Sequence, residues 1–145
     1  MINVSENSTV TINGGTFTNA ANYSTIRIWC SDDDDTIVTI NEGTFNGAID
    51  FHNVSANPNK GTLTINGGTF TGNHGVVGTY GAGSEATLNA GTFNCTATYT
   101  GNSDWVLYAE EGGIVKYNAS SCTLTTGNTS GPVYGAQVGT SVIAF

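Results

Sequence analysis

Val10-Thr11-Ile12-Asn13-Gly14-Gly15-Thr16-Phe17 is the stretch whose reading decides the fold. The unit returns as Val38 to Phe45, as Leu63 to Phe70, and as Ala86-Thr87-Leu88-Asn89-Ala90-Gly91-Thr92-Phe93. A fifth copy reads Val115-Lys116-Tyr117-Asn118-Ala119-Ser120-Ser121-Cys122. Successive copies start 28, 25, 23 and 29 residues apart. Self-similarity at such a period marks a solenoid, in which each unit buries its apolar face only by stacking on its neighbours.

Within the unit the pattern is strand, turn, strand. Val10 and Ile12 share one face and Thr11 takes the other, the period of two that signals a β-strand. Asn13, Gly14 and Gly15 are turn residues, and the second glycine column (Gly15, Gly43, Gly68, Gly91) is where a positive φ is expected. Ser120 replaces it in the fifth copy, which argues against the same tight turn there. Thr16-Phe17 opens a second strand with the ring pointing inward.

Stacking the copies predicts ladders. Ile12, Ile40, Ile65, Leu88 and Tyr117 form one inner column, and Phe17, Phe45, Phe70 and Phe93 another, continued by Cys122. Thr11, Thr39, Thr64 and Thr87 form an outer column broken by Lys116, and Asn13, Asn41, Asn66, Asn89 and Asn118 line a corner. Side chains stacked at about 4.8 Å can hydrogen-bond along the axis. A third strand is expected where Val77, Val106 and Val133 each precede a glycine (Gly83, Gly112, Gly139) by six residues. The variable stretches between second and third strands map to loops on one side, often the binding side.

The fold class is therefore all-β: a right-handed parallel β-helix of about five coils, three short strands per coil, right-handed because parallel crossovers nearly always are. One domain spans residues 1–145, with coils starting near 10, 38, 63, 86 and 115 and a partial sixth strand at 142–145. Through its T-I-N-G-G-T-F unit the whole chain resembles the right-handed parallel β-helix repeats of pectate-lyase-like proteins, bacterial surface adhesins and phage tail or fibre proteins. The resemblance implies the fold, while function on such scaffolds varies.

Composition narrows the partners. Net charge is −8, with Arg27, Lys60 and Lys116 the only Lys or Arg. Nucleic acid, which demands several basic phosphate contacts, is excluded as a partner, and an anionic membrane surface is disfavoured. No apolar run approaches the ~20 residues of a bilayer span. No signal peptide is visible at Met1-Ile2-Asn3-Val4, so we expect either a fragment of a longer surface protein or an export route such as virion assembly. Cys30, Cys95 and Cys122 are an odd, widely spaced set, unlike a disulfide scaffold or zinc site.

Candidate sites follow the chain. Asp32-Asp33-Asp34-Asp35 offers carboxylates to Ca2+ but lacks the spaced ligands of a calcium loop, so it reads as a solvated acidic turn. No cofactor is expected, Ca2+ being the one ion considered. If Ile49 stacks on Ile26, Asp50 falls beside Arg27 as an exposed ion pair, and His52 falls beside Trp29. A Trp and a His on an outer face suit a sugar ring. Tyr99 and Trp105, in and after the longest loop, are the other recognition candidates. Val142-Ile143-Ala144-Phe145 leaves an apolar end, and Val142 and Phe145 are the expected contacts for self-association or another structural subunit.

The expected function is a non-enzymatic, extracellular structural or adhesive solenoid: a phage virion decoration or fibre component, or a bacterial cell-surface module. It would assemble through its open end and take cell-surface glycan as a ligand. One alternative is a polysaccharide lyase or hydrolase, which needs a base with Ca2+ or paired carboxylates facing one groove. Asp50 is the only strand carboxylate expected near a cation. The other alternative is ice binding by T-x-T arrays on the first strands. Thr9-Val10-Thr11 and Thr62-Leu63-Thr64 fit, while Ile37, Glu85 and Ile114 break the column.

Overall fold

Alternating β-branched residues and glycine corners build one repeating path. The computed structural model describes residues 1–5, 7–19, 24–30, 35–53, 61–73, 75–96, 105–127, 134–136 and 141–145. β1 (Ile2–Ser5) leads in. Five triplets follow: β2 (Thr9–Ile12), β3 (Thr16–Thr18), β4 (Ile26–Cys30); β5 (Ile37–Ile40), β6 (Thr44–Asn46), β7 (Ile49–Asn53); β8 (Gly61–Ile65), β9 (Thr69–Gly72), β10 (Gly75–Tyr80); β11 (Ser84–Leu88), β12 (Gly91–Cys95), β13 (Trp105–Glu110); and β14 (Ile114–Tyr117), β15 (Cys122–Thr126), β16 (Tyr134–Ala136). β17 (Ser141–Ala144) closes the described chain. None of the described residues is helical.

Every pairing among these strands is parallel and joins one coil to the next. The result is a three-sided β-solenoid. The first sheet has six strands (β2, β5, β8, β11, β14, β17), the second has five (β3, β6, β9, β12, β15), and the third has six (β1, β4, β7, β10, β13, β16).

The ladders form as the repeat requires. Phe17, Phe45, Phe70 and Phe93 stack with ring centroids 4.8–4.9 Å apart and planes within 4–9° of parallel. Ile40, Ile65 and Leu88 are fully buried beside them. At the corner, Asn41 donates to Asn13 at 2.7 Å, Asn66 to Asn41 at 2.8 Å, and Asn89 to Asn66 at 2.8 Å. The glycine column turns with φ of +108° at Gly15, +143° at Gly43, +114° at Gly68 and +140° at Gly91, a region closed to most side chains.

The fifth coil departs from expectation. Phe93 pairs with Leu124, and Cys122 with Gly91, so Cys122 does not continue the Phe column. The extra turn residues are held by Asn118, whose carbonyl accepts from the backbone N–H groups of Ser121 and Cys122 and whose Oδ1 accepts from that of Ser120. Asn118 thus caps its own turn, with its Oδ1 turned to Ser120. Cys122 is half-buried instead of enclosed, and none of the three cysteines forms a disulfide.

The third strands also register differently. Val77 pairs with Leu107, not Val106, so the alignment of Val77 with Val106 is one residue out, whereas Leu107 pairs with Tyr134 at the offset expected between Val106 and Val133. The corner between Glu110 and Ile114 is one residue shorter than that between Tyr80 and Glu85, which absorbs the slip. Val133 and Gly139 lie outside the described residues. Asp50 stands beside Arg27 in register, but its carboxylate accepts hydrogen bonds from Ser24 and from the Tyr108 hydroxyl. Among the described residues the ion pair is Lys116 with Glu85, at 2.7 Å on the first sheet, so Asp50 is not the only strand carboxylate near a cation.

Candidate functional site

The outer face of the third sheet gathers the rings and charges. Its inward residues (Ile26, Ile28, Ile49, Phe51, Val77, Leu107, Ala109) fill the core and the alternate positions face outward, where Val76, Gly78 and Val106 are themselves covered. Two columns result. One runs Asn3, Arg27, Asp50, Gly78, Tyr108, and the other Ser5, Trp29, His52, Tyr80, Glu110.

The second column is an aromatic row. Trp29 and His52 stack with centroids 5.6 Å apart and planes at 20°, and His52 and Tyr80 lie 5.4 Å apart at 32°. His52 is wedged between two rings. Burial lowers its pKa; Asp50 opposes that shift and Arg27 adds to it, so the imidazole is neutral at neutral pH. A hydrogen bond to Glu111, before all other causes, raises the Tyr80 phenol.

In the first column Tyr108 lies along the solenoid axis. It passes over Gly78 to reach Asp50 Oδ1 at 2.5 Å. Burial first, then the neighbouring Asp50 carboxylate, push its hydroxyl well above the ordinary 10.0, so it stays a donor. Asp50 is thereby engaged on both oxygens, by Ser24 and Tyr108.

Trp29 keeps one face open. β1 and β7 flank β4 on opposite sides, and the His52 stack covers only the β7 side. On the β1 side Trp29 borders a hollow of about 320 Å³, lined also by Met1, Asn3, Val4, Ser5 and Arg27. Trp29 is 41% exposed, the most open aromatic residue on this sheet among the residues with described burial. The hollow combines a flat apolar platform, a guanidinium, an amide and a hydroxyl, which is how a sugar ring is held: carbon face on the indole, hydroxyls to the polar groups. A smaller hollow of about 170 Å³, lined by Asn19, Asn46, Gly47, Thr71, Gly72, Asn73 and Thr96, offers neither ring nor charge.

The sequence-predicted residues distribute as follows. Trp29 and His52 meet, as the Ile26–Ile49 alignment implies. Trp105 is half-buried at the start of β13 opposite Gly75, at the far end of the strand from the aromatic row, whose partner there is Glu110. Tyr99 and Asp32, Asp33 and Asp34 lie outside the described residues. Asp35 is exposed, and its backbone N–H bonds Asn7 Oδ1 at 2.9 Å. No cluster of three or more His, Cys, Asp or Glu occurs among the described residues. Phe145 is 57% exposed at the edge of the first sheet, and Val142 is half-buried there. Tyr80 and Tyr108 were not anticipated. Aligning Ile49-Asp50-Phe51-His52 with Val77-Gly78-Thr79-Tyr80 would have found the first.

No protein family, curated protein or solved structure matches the chain.

Proposed function

We propose that the chain is a non-enzymatic binding solenoid, displayed outside the cell on a bacterial surface or a virion, that holds a glycan on the outer face of its third sheet. The open face of Trp29, backed by His52 and bordered by Arg27, Asn3 and Ser5, carries the proposal. Stacking fixes the indole before any ligand arrives, so little ordering entropy is lost on binding. The rest of the patch argues for holding over cleaving. Both oxygens of Asp50 are engaged, and His52 is enclosed by two rings. A hydrolase would need two carboxyl groups facing one groove, and a lyase a base open to the substrate. Surface display accords with outer columns rich in Thr and Asn and with a charged content of only 10%.

A glycan array tests this. The wild-type protein is expected to bind a restricted set of oligosaccharides, and Trp29→Ala to weaken that binding about tenfold or more, the loss of one central anchor. An array without binding, or a Trp29→Ala protein that binds as tightly as wild type, contradicts the proposal.

A further inference from the structure

The second sheet carries a feature that the glycan reading does not use. Its outward residues form two columns across all five strands. The first is Thr16, Thr44, Thr69, Thr92 and Thr123; the second is Thr18, Asn46, Thr71, Asn94 and Thr125. All ten are exposed or half-buried, and none is charged, on a chain of net charge −8. The first sheet shows the contrast. Its columns include Ile37, Ile114 and the Lys116–Glu85 pair.

The grid is regular in both directions. Along a strand, positions i and i+2 are separated by about 6.7 Å, and between strands by about 4.8 Å. The Phe stack beneath the grid, 4.8–4.9 Å per step and within 9° of parallel, keeps the coils superposed with little twist. The side chains are stiff as well: Thr is restricted at χ1, Asn46 donates to Thr18 at 3.3 Å, and Thr125 donates to Asn94 at 2.8 Å.

From this we infer that the outer face of the second sheet binds ice. A neutral, repeating grid of eight threonine hydroxyls and methyls and two asparagine amides complements a neutral, repeating surface, and ice is the uncharged crystal of hydrogen-bonding groups that water supplies. Oxygen rows on a prism face of ice repeat on a rectangular grid of similar dimensions. Waters anchored to the hydroxyls and bounded by the methyls are already ordered, so the lattice can extend through them at little further cost. Ten weak contacts on one rigid face act together as a multivalent site.

Thermal hysteresis and ice-recrystallisation inhibition test the inference on the whole chain. The wild-type protein is expected to separate the freezing and melting points and to shape ice crystals. Thr69→Lys, in the centre of the grid, is expected to reduce the effect about tenfold or more by breaking the joint contact. Thr62→Lys, exposed on the first sheet, and Trp29→Ala are expected to leave it unchanged, with circular dichroism verifying the fold of each variant. Absence of hysteresis and of recrystallisation inhibition in the wild type overturns the inference, as does an equal loss in Thr62→Lys. A dimer that forms with rising concentration and that Thr69→Lys dissolves also overturns it, since a second copy would then cover the face.

Discussion

A methyl group at Gly78 would lie 1.9 Å from Cζ of Tyr108 and 2.3 Å from both Cε atoms. That contact is impossible, so Gly78→Ala must lift the ring and break its bond to Asp50. Overpacking of this kind typically costs about 1–3 kcal/mol, and the Asp50 carboxylate loses a donor in addition. A thermal melt is expected to show a clear drop for Gly78→Ala, and an unchanged midpoint would mean the Tyr108–Asp50 bond does not hold the patch. The same residues show what the sequence conceals. The Arg27–Asp50 and Trp29–His52 neighbours were legible because both strands carry the same apolar alternation. Tyr108 was not, because Val106 looked like the partner of Val77. In a strand one residue of slip exchanges the two faces, which turns Tyr108 inward and hides it.

At the scale of the element, the Phe ladder of the second sheet is the most repetitive part of the core. Phe70 is fully buried and stacked on both faces, whereas Phe17 stacks on one face only and is half-buried. Phe70→Ala is expected to cost about 3–5 kcal/mol, the range for a buried aromatic. Phe17→Ala should cost distinctly less. Chemical denaturation measures both, and equal costs would contradict the stacking account. The first four copies of the unit announced this element through identical spacing. In the fifth copy the sequence still supplied Asn118 and a Thr-Leu-Thr strand at 123–125, but the longer Asn118-capped turn shifted the register by two. Position counting from the Asn corner could not register a turn of different length. The Thr pairs of the first strands are interrupted by Ile37, Glu85 and Ile114, whereas the second sheet carries one unbroken Thr column beside a mixed Thr/Asn column.

At the scale of the whole molecule, the three parallel sheets carry different surface chemistry. The first carries the Thr column and the Lys116–Glu85 pair, the second an uncharged Thr/Asn grid, and the third the rings and polar groups of the candidate glycan site. Every strand pairing joins a coil to its neighbour, and the outward side chains of the three sheets face different ways, so an exposed substitution on one face should leave the other two intact. Coil period and strand order were legible because a solenoid repeats its chemistry. The proposed glycan site was less so, because it rests on side chains such as Trp29 and Tyr80 that the repeat does not reproduce.

The central claim, that ligand binds at the open face of Trp29, has a direct reporter. The chain contains two tryptophans, Trp29 and Trp105, so a proton–nitrogen correlation spectrum carries two indole N–H signals. Each is assigned by substituting the other tryptophan with phenylalanine. Titration with chito-oligosaccharides, oligogalacturonides and the strongest array ligand is expected to shift the Trp29 signal with at least one of them and to leave Trp105 in place. Movement of Trp105 alone, or of neither signal at saturating sugar, would contradict the account.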